Sequence, residues 1–177
     1  MPFPLHILPT AAWTSGARGF GSGRDGGKRK HAGCDLLAPV DTRIYAVAPG
    51  KVLGFQAFYD HTFYIHVDHD DFEVRYGEVK ARLAPGVEVG TRVEAGQHIG
   101  WVGFLRDYSR KSGRVQSMLH FEMYSGNADG PLTNRKDPRG FMRRGDLIDP
   151  TSWLDAWAKA LVLRRDAVAL PRSTMVA

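Results

Sequence analysis

From residue 31 onward the apolar positions fall in short runs, many alternating with polar ones, and glycine, proline, asparagine or aspartate interrupts them at short intervals. HAGCDLLAP (31–39) reads as a strand between turn signals, and DTRIYAVAPGKVLGF (41–55) as two strands around Pro49-Gly50. FYIHVD (63–68) and FEVRYG (72–77) form a predicted hairpin joined through His69, Asp70 and Asp71. GVEVG, TRVEAGQ and HIGWVGF place strand-sized apolar pieces between glycines, and in LHFEMY (119–124) Leu119, Phe121 and Met123 alternate with His120, Glu122 and Tyr124. About seven to ten strands are predicted.

Two segments break this pattern. Residues 14–33 are Gly-rich and basic without a period, which predicts a loop. After Asn127 the chain turns polar and rich in Pro and Arg (GPLTNRKDPRGFMRRGD), a predicted insertion at 126–146. A helix then follows over 150–162, with Asp149 as N-cap, Pro150 at the first helical position, and Trp153, Leu154, Trp157 and Leu161 on one face that should dock on the sheet. The expected fold is mainly β, an antiparallel sheet with one C-terminal helix. Its expected division is an N-terminal extension (1–13), one domain (14–162) and a tail (163–177).

Composition agrees: 177 residues at 43% hydrophobic content bury one good core, and 20 glycines with 10 prolines suit many tight turns. The formal charge of +5 is clustered at Lys28 to Lys30, Arg110 to Arg114, Arg135 to Arg144, and Arg164 with Arg165. Such clusters suit an anionic polymer, a bacterial wall included, or are a solvated face. No aromatic-interleaved basic motif is visible, so no nucleic acid partner is expected. The single cysteine, Cys34, excludes an intrachain disulfide and a four-cysteine zinc knuckle. No signal-peptide core and no membrane-length apolar stretch is evident, so action outside the cytoplasm is expected to need a route such as phage lysis, a phage tail or a secretion machine.

The chemistry concentrates in two strands. In HAGCD, His31 and Asp35 lie four apart, so both point to one face of an extended chain, with Gly33 leaving room between them. His120 stands on the polar face of its own strand. A His-Asp-His triangle with a fourth position open to water is the catalytic kind of zinc site, although any chain with seven histidines offers such trios and structural histidines are the alternative. Cys34 should face away from such a site as a small buried thiol. Glu122 shares the face of His120 and is a candidate for orienting its imidazole. Arg24, Arg29 and Lys30 are candidates for covering the cleft or holding substrate carboxylates, with surface solvation the alternative. His66 is expected at a polar or satisfied position, His69 exposed beside the hairpin turn, and His98 without a special role.

HAGCDLLAP, YAVAPGKV, VDHDDFEVRYG, VEAGQHIGWVG and LHFEMY, in that order and closed by DPTSWL, resemble the motif series of the lysostaphin-type (LytM-like) zinc endopeptidases over residues 14–125. The resemblance implies that fold, one Zn²⁺ held by His31, Asp35 and His120, and hydrolysis of peptidoglycan cross-links or stem peptides in the cell wall or periplasm. Two places depart from the family pattern. Glu78 follows Tyr76-Gly77 where a histidine is usual, and Met118 stands two residues before His120 where another is usual. Loss of both without replacement would cost about 10⁴- to 10⁷-fold in rate. Glu78 is a candidate general base, the role of glutamate in H-E-x-x-H peptidases; its alternative is an edge residue, exposed or paired to Arg75 or Lys80. Met118, with no proton to give, would form an apolar wall. An active endopeptidase and a catalytically inactive zinc- and peptidoglycan-binding or regulatory module both follow from this pattern.

Overall fold

The computed structural model describes residues 2–169, with side chains as far as residue 164. In chain order the strands are β1 (Gly23–Arg24), β2 (Arg29–Lys30), β3 (Cys34–Leu37), β4 (Arg43–Tyr45), β5 (Gly50–Ala57), β6 (Phe63–Asp68), β7 (Glu73–Val79), β8 (Arg92–Val93), β9 (His98–Trp101), β10 (Met118–Tyr124) and β11 (Leu147–Ile148). The helices are α1 (Arg106–Ser112) and α2 (Thr151–Ala169).

The main sheet is antiparallel and runs β11-β10-β7-β6-β5-β8. One edge of β10 is shared: β3 pairs with residues 118–121 and β11 with residues 123–124, while β7 occupies the other edge. β10 is therefore central, and its seven residues are all buried. On one face Leu119, Phe121 and Met123 join Cys34, Leu36, Ile65, Val67, Val74 and Tyr76 in the core. On the other face His120, Glu122 and Tyr124 meet polar partners described below.

α2 covers the apolar face. The Thr151 N–H donates to Asp149 Oδ1 at 2.9 Å and the Leu154 N–H to the Pro150 carbonyl at 3.0 Å, the expected N-terminal geometry. The helix continues to Ala169, past the expected end at 162; residues 170–177 of the expected tail lie outside the described residues. Leu154 and Trp157 dock as expected, each fully buried Leu-sized side chain contributing about 1.5–3 kcal/mol. Trp153 is the exception: it is 41% exposed, with its ring stacked on Phe72 at 6.1 Å and tilted against Trp157 at 6.0 Å. At the other end of the chain Phe3 and Leu5 are buried in the same core, and the Tyr45 N–H donates to the Pro4 carbonyl.

α1 was not expected. RDYSRKS has no apolar face, and its start is set from outside, where the Asp107 and Tyr108 N–H groups donate to the Asp60 carboxylate at 2.7 and 2.9 Å. It stops at Gly113, whose φ of 67° is left-handed. Asp60 thereby ties the β5–β6 loop to α1. His69 is a second correction: it is buried, not exposed, because its ring bridges the Pro49 carbonyl and the Tyr76 hydroxyl, each at 3.0 Å.

Candidate metal centre

His31, Asp35 and His120 come together from three directions. Asp35 leaves β3 directly opposite His120 in the β3–β10 register. His31 lies just before β3, held by the backbone of the preceding loop: its N–H donates to the Ser22 carbonyl and its own carbonyl accepts from Gly21, both at 2.8 Å. Gly33 allows the chain to pass close to β10, for a Cβ there would sit 2.3 Å from the Phe121 carbonyl oxygen.

The donor atoms are specific. His31 Nε2 is 3.0 Å from Asp35 Oδ1 and 3.1 Å from His120 Nδ1, and His120 Nδ1 is 2.8 Å from the same Asp35 oxygen. Three ligands at zinc–donor distances of about 2.0–2.1 Å in a tetrahedron stand about 3.3 Å apart, so this triangle matches one face of such a site after a slight expansion. The far nitrogens are committed: His31 Nδ1 donates to the Gly19 carbonyl at 2.9 Å, and His120 Nε2 to Glu122 Oε1 at 2.9 Å. With those acceptors on the far nitrogens, loss of one proton from His120 leaves both imidazoles in tautomers whose other nitrogen can turn a lone pair, together with the Asp35 oxygen, toward one metal ion. Such a set suits a divalent cation.

Electrostatics point the same way. Burial opposes charge on Asp35, but hydrogen bonds from His120 and His31 overcome it and hold the carboxyl well below its usual range. Burial likewise opposes charge on His120, yet Asp35 and Glu122 raise its pKa to about 9, so a proton on His120 is the single-charge alternative to a metal. His31 is shifted down, mainly by burial. Glu122 is fully buried and stays ionised because Arg75 and Arg143 outweigh its desolvation. Arg75 Nη1 reaches it at 3.0 Å, Arg143 Nη2 at 2.7 Å and the Tyr124 hydroxyl at 2.6 Å. Arg143 comes from the 126–146 segment, which thus reaches the centre through Glu122.

Glu78 sits beside this triangle. Between Phe63↔Val79 and Ile65↔Tyr76 two residues of β7, Gly77 and Glu78, oppose one of β6, a bulge that re-aims the strand. Glu78 takes a left-handed φ of 60° there and is buried, and its Oε2 has no hydrogen-bond partner. Burial and then the charge of Asp35 raise its pKa to about 8. It pairs with neither of the basic neighbours considered from sequence: Arg75 is on Glu122 and Lys80 is on Asp41. A left-handed non-glycine residue costs about 1–3 kcal/mol, and an unpaired buried carboxylate adds to that, which is a pattern of functional sites. Met118 is buried at the start of β10, two residues before His120. Cys34 is fully buried, pushed up to about 11 by desolvation, and belongs to the core. His66 is satisfied by Glu73 at 2.6 Å.

Sequence reasoning missed the Arg24–Asp35 contact, the two arginines on Glu122, and Phe58, whose ring lies 5.7 Å from that of His120. Each joins positions distant in the chain, so no local pattern marks it. A second cluster, Asp60, His61 and Asp107, has its donors already engaged, Asp60 by α1 and His61 by Arg106 at 2.8 Å.

A buried His-Asp-His group that could hold a metal ion, on an antiparallel sheet and with the buried Glu78 carboxylate near it, suits a metallopeptidase-type centre. The model of peptidase family M23 matches residues 29–132, more than half of the chain, and the chain belongs to that family. Among solved structures it is similar to the catalytic domain of the antimicrobial peptidase lysostaphin from Staphylococcus simulans, at 22% identity and a TM-score of 0.53, covering 77% of this chain and 89% of that one. LytU is similar at 22% identity and a TM-score of 0.56, over 82% and 90% of the two chains. A zinc-containing peptidase from Vibrio cholerae is similar at 19% identity and a TM-score of 0.52, over 85% of this chain but 40% of that one. Likeness at these identities is likeness of fold. No curated protein matches the chain significantly. Among the described residues no helix is long and apolar enough to cross a membrane.

Proposed function

We propose that this chain is a zinc-dependent endopeptidase that hydrolyses peptide bonds of peptidoglycan, with His31, Asp35 and His120 holding one zinc ion and Glu78 as general base. The observation that carries the reading is the convergence of three potential ligand atoms, one each from His31, Asp35 and His120, with the unpaired, buried carboxylate of Glu78 close enough to feel the charge of Asp35. Zinc bound there supplies Lewis acidity, acidifying water and polarising a scissile carbonyl. The protein's own part is to fix and to move protons. Gly19 and Glu122 hold the two imidazoles in the tautomers that ligate, and Glu78, already drawn toward neutral pH by burial, accepts the proton of the attacking water and delivers it to the leaving amine. Met118, buried two residues before His120 on β10, gives no proton, so the carboxylate does the work usually divided with histidines.

Peptidoglycan as substrate class is supported by membership of family M23 and by the likeness to lysostaphin. Action on the cell wall or in the periplasm follows from that substrate. The loss of histidine at positions 78 and 118 favours a second reading, an inactive zinc- and wall-binding module. Zinc content and muropeptide release from purified sacculi, compared for wild type, Glu78→Gln and His120→Ala, separate the two. Zinc retained with products lost in Glu78→Gln, and both lost in His120→Ala, supports the peptidase. Zinc bound with no products from wild type supports the module, and a wild type that binds no zinc refutes both.

A further inference from the structure

The loop that precedes His31 reads from sequence as basic and patternless, yet it carries a hairpin, β1 with β2, whose position is fixed. Gly23 pairs with Lys30 and Arg24 with Arg29, and the Lys30 N–H donates to the Gly140 carbonyl at 2.8 Å. The cations on this hairpin face different ways. Arg29 pairs with Asp25 at 2.5 Å and Lys30 lies over the Phe141 ring at 5.5 Å. Arg24 turns inward, and its Nη2 donates to Asp35 Oδ2 at 3.1 Å with only 19% of the side chain exposed.

The two oxygens of Asp35 are thereby divided. Oδ1 faces His31 and His120, while Oδ2 is held by the guanidinium. A carboxylate with both oxygens free can chelate a cation through both, and the second oxygen then takes a coordination position that a hydrolytic site leaves open. Charge matters as well. Arg75 and Arg143 are both engaged with Glu122 on the far side of His120, whereas the charge of Arg24 is felt by His31, Asp35 and Glu78. Arg24 is thus the cation in direct contact with Asp35.

We infer that Arg24 is a positioning residue of the metal centre: it restricts Asp35 to ligation through one oxygen and keeps the remaining position open. This rests on the metal reading above, and the β1–β2 hairpin thereby becomes part of the centre. The experiment measures zinc affinity by chelator competition and the visible spectrum of the cobalt(II)-substituted protein, for wild type, Arg24→Ala, Arg24→Lys and His120→Ala, each with its thermal unfolding recorded. Expected is a cobalt spectrum in Arg24→Ala that loses intensity as coordination rises above four, and a change in zinc affinity of about 10- to 100-fold. Millimolar guanidinium ion should restore the wild-type spectrum in Arg24→Ala, which a merely structural arginine would not allow, and Arg24→Lys should lie between the two. A folded Arg24→Ala with unchanged affinity and spectrum overturns the inference alone. A wild type that takes up neither zinc nor cobalt overturns the metal reading beneath it.

Discussion

Glu122→Gln isolates what the buried carboxylate does. Glu122 has no exposed surface, and its two oxygens accept from Arg75, Arg143, Tyr124 and His120 at 2.6 to 3.0 Å. Glutamine keeps the shape but removes the charge, and whichever way its amide turns, an NH₂ group faces donors. Two buried guanidiniums then lose their counter-charge, a loss of about 3–5 kcal/mol. At roughly 2–4 °C per kcal/mol for a chain of this size, Tm should fall by about 6–20 °C at pH 7. The folded pKa of Glu122 is depressed, so this contribution is present above the unfolded value near 4.5 and fades as pH falls toward the folded one; the difference between the two proteins should therefore narrow below about pH 4.5. Zinc affinity should fall about 10- to 100-fold, because the His120 tautomer is no longer enforced. Thermal unfolding across pH and chelator competition measure both. A variant within about 1 kcal/mol of wild type at pH 7 and with equal zinc affinity would show that the arginines find other partners, and would refute the reasoning.

Further consequences can be checked separately. Gly33→Ala puts a Cβ 2.3 Å from the Phe121 carbonyl oxygen, so β3 must move away from β10; a loss of about 1–3 kcal/mol in denaturant unfolding and loss of stoichiometric zinc are expected. For Glu78, whose folded pKa of about 8 exceeds its unfolded value of 4.5, stability is fully present below pH 4.5 and is lost as pH rises through 8. Metal-free Glu78→Gln should therefore equal wild type in acid and exceed it at pH 8, by up to about 1.4 kcal/mol per pH unit crossed, read by urea titration. In the zinc-loaded protein, wild type should show an acidic limb in its pH–rate profile as Glu78 protonates, set below pH 8 by the added positive charge, and Glu78→Gln should stay without products across that range. Because His120 binds a proton with a pKa of about 9, zinc uptake should release protons and weaken as pH falls, which calorimetry in buffers of different ionisation enthalpy measures.

What the sequence makes legible is what local alternation encodes. FYIHVD is β6 residue for residue, LHFEMY lies within β10, and the face that carries His120 follows from the pleat alone. Spacing offered His31, Asp35 and His120 as one trio among those that seven histidines allow, and the family resemblance singled it out, because the register that sets Asp35 against His120 is decided by pairing across 85 residues. Arg143 on Glu122 and Arg24 on Asp35 are 21 and 11 residues apart, and no strand or helix period joins either pair. α1 was missed for a different reason: its N-terminus is specified by Asp60 from another loop rather than by any period of its own.

Glu78 shows most clearly where local reading ends. EVRYGEV continues a strand pattern, and simple alternation gives Glu78 no reason to be buried without a partner. The bulge at Gly77 and Glu78 changes that: a Cβ at Gly77 would lie 2.8 Å from Phe58 and 3.3 Å from His120, and the left-handed Glu78 that follows breaks the alternation and is buried within range of the Asp35 charge. The backbone strain, the desolvated carboxylate and the packing of Phe58 on His120 are thus parts of one local arrangement. A glutamate kept only for stability would gain nothing from it, because the left-handed backbone and the desolvated carboxylate both oppose folding. The arrangement has a use once a divalent cation fills the triangle, when the added charge favours the carboxylate that burial disfavours and brings its proton affinity into the range of a working base.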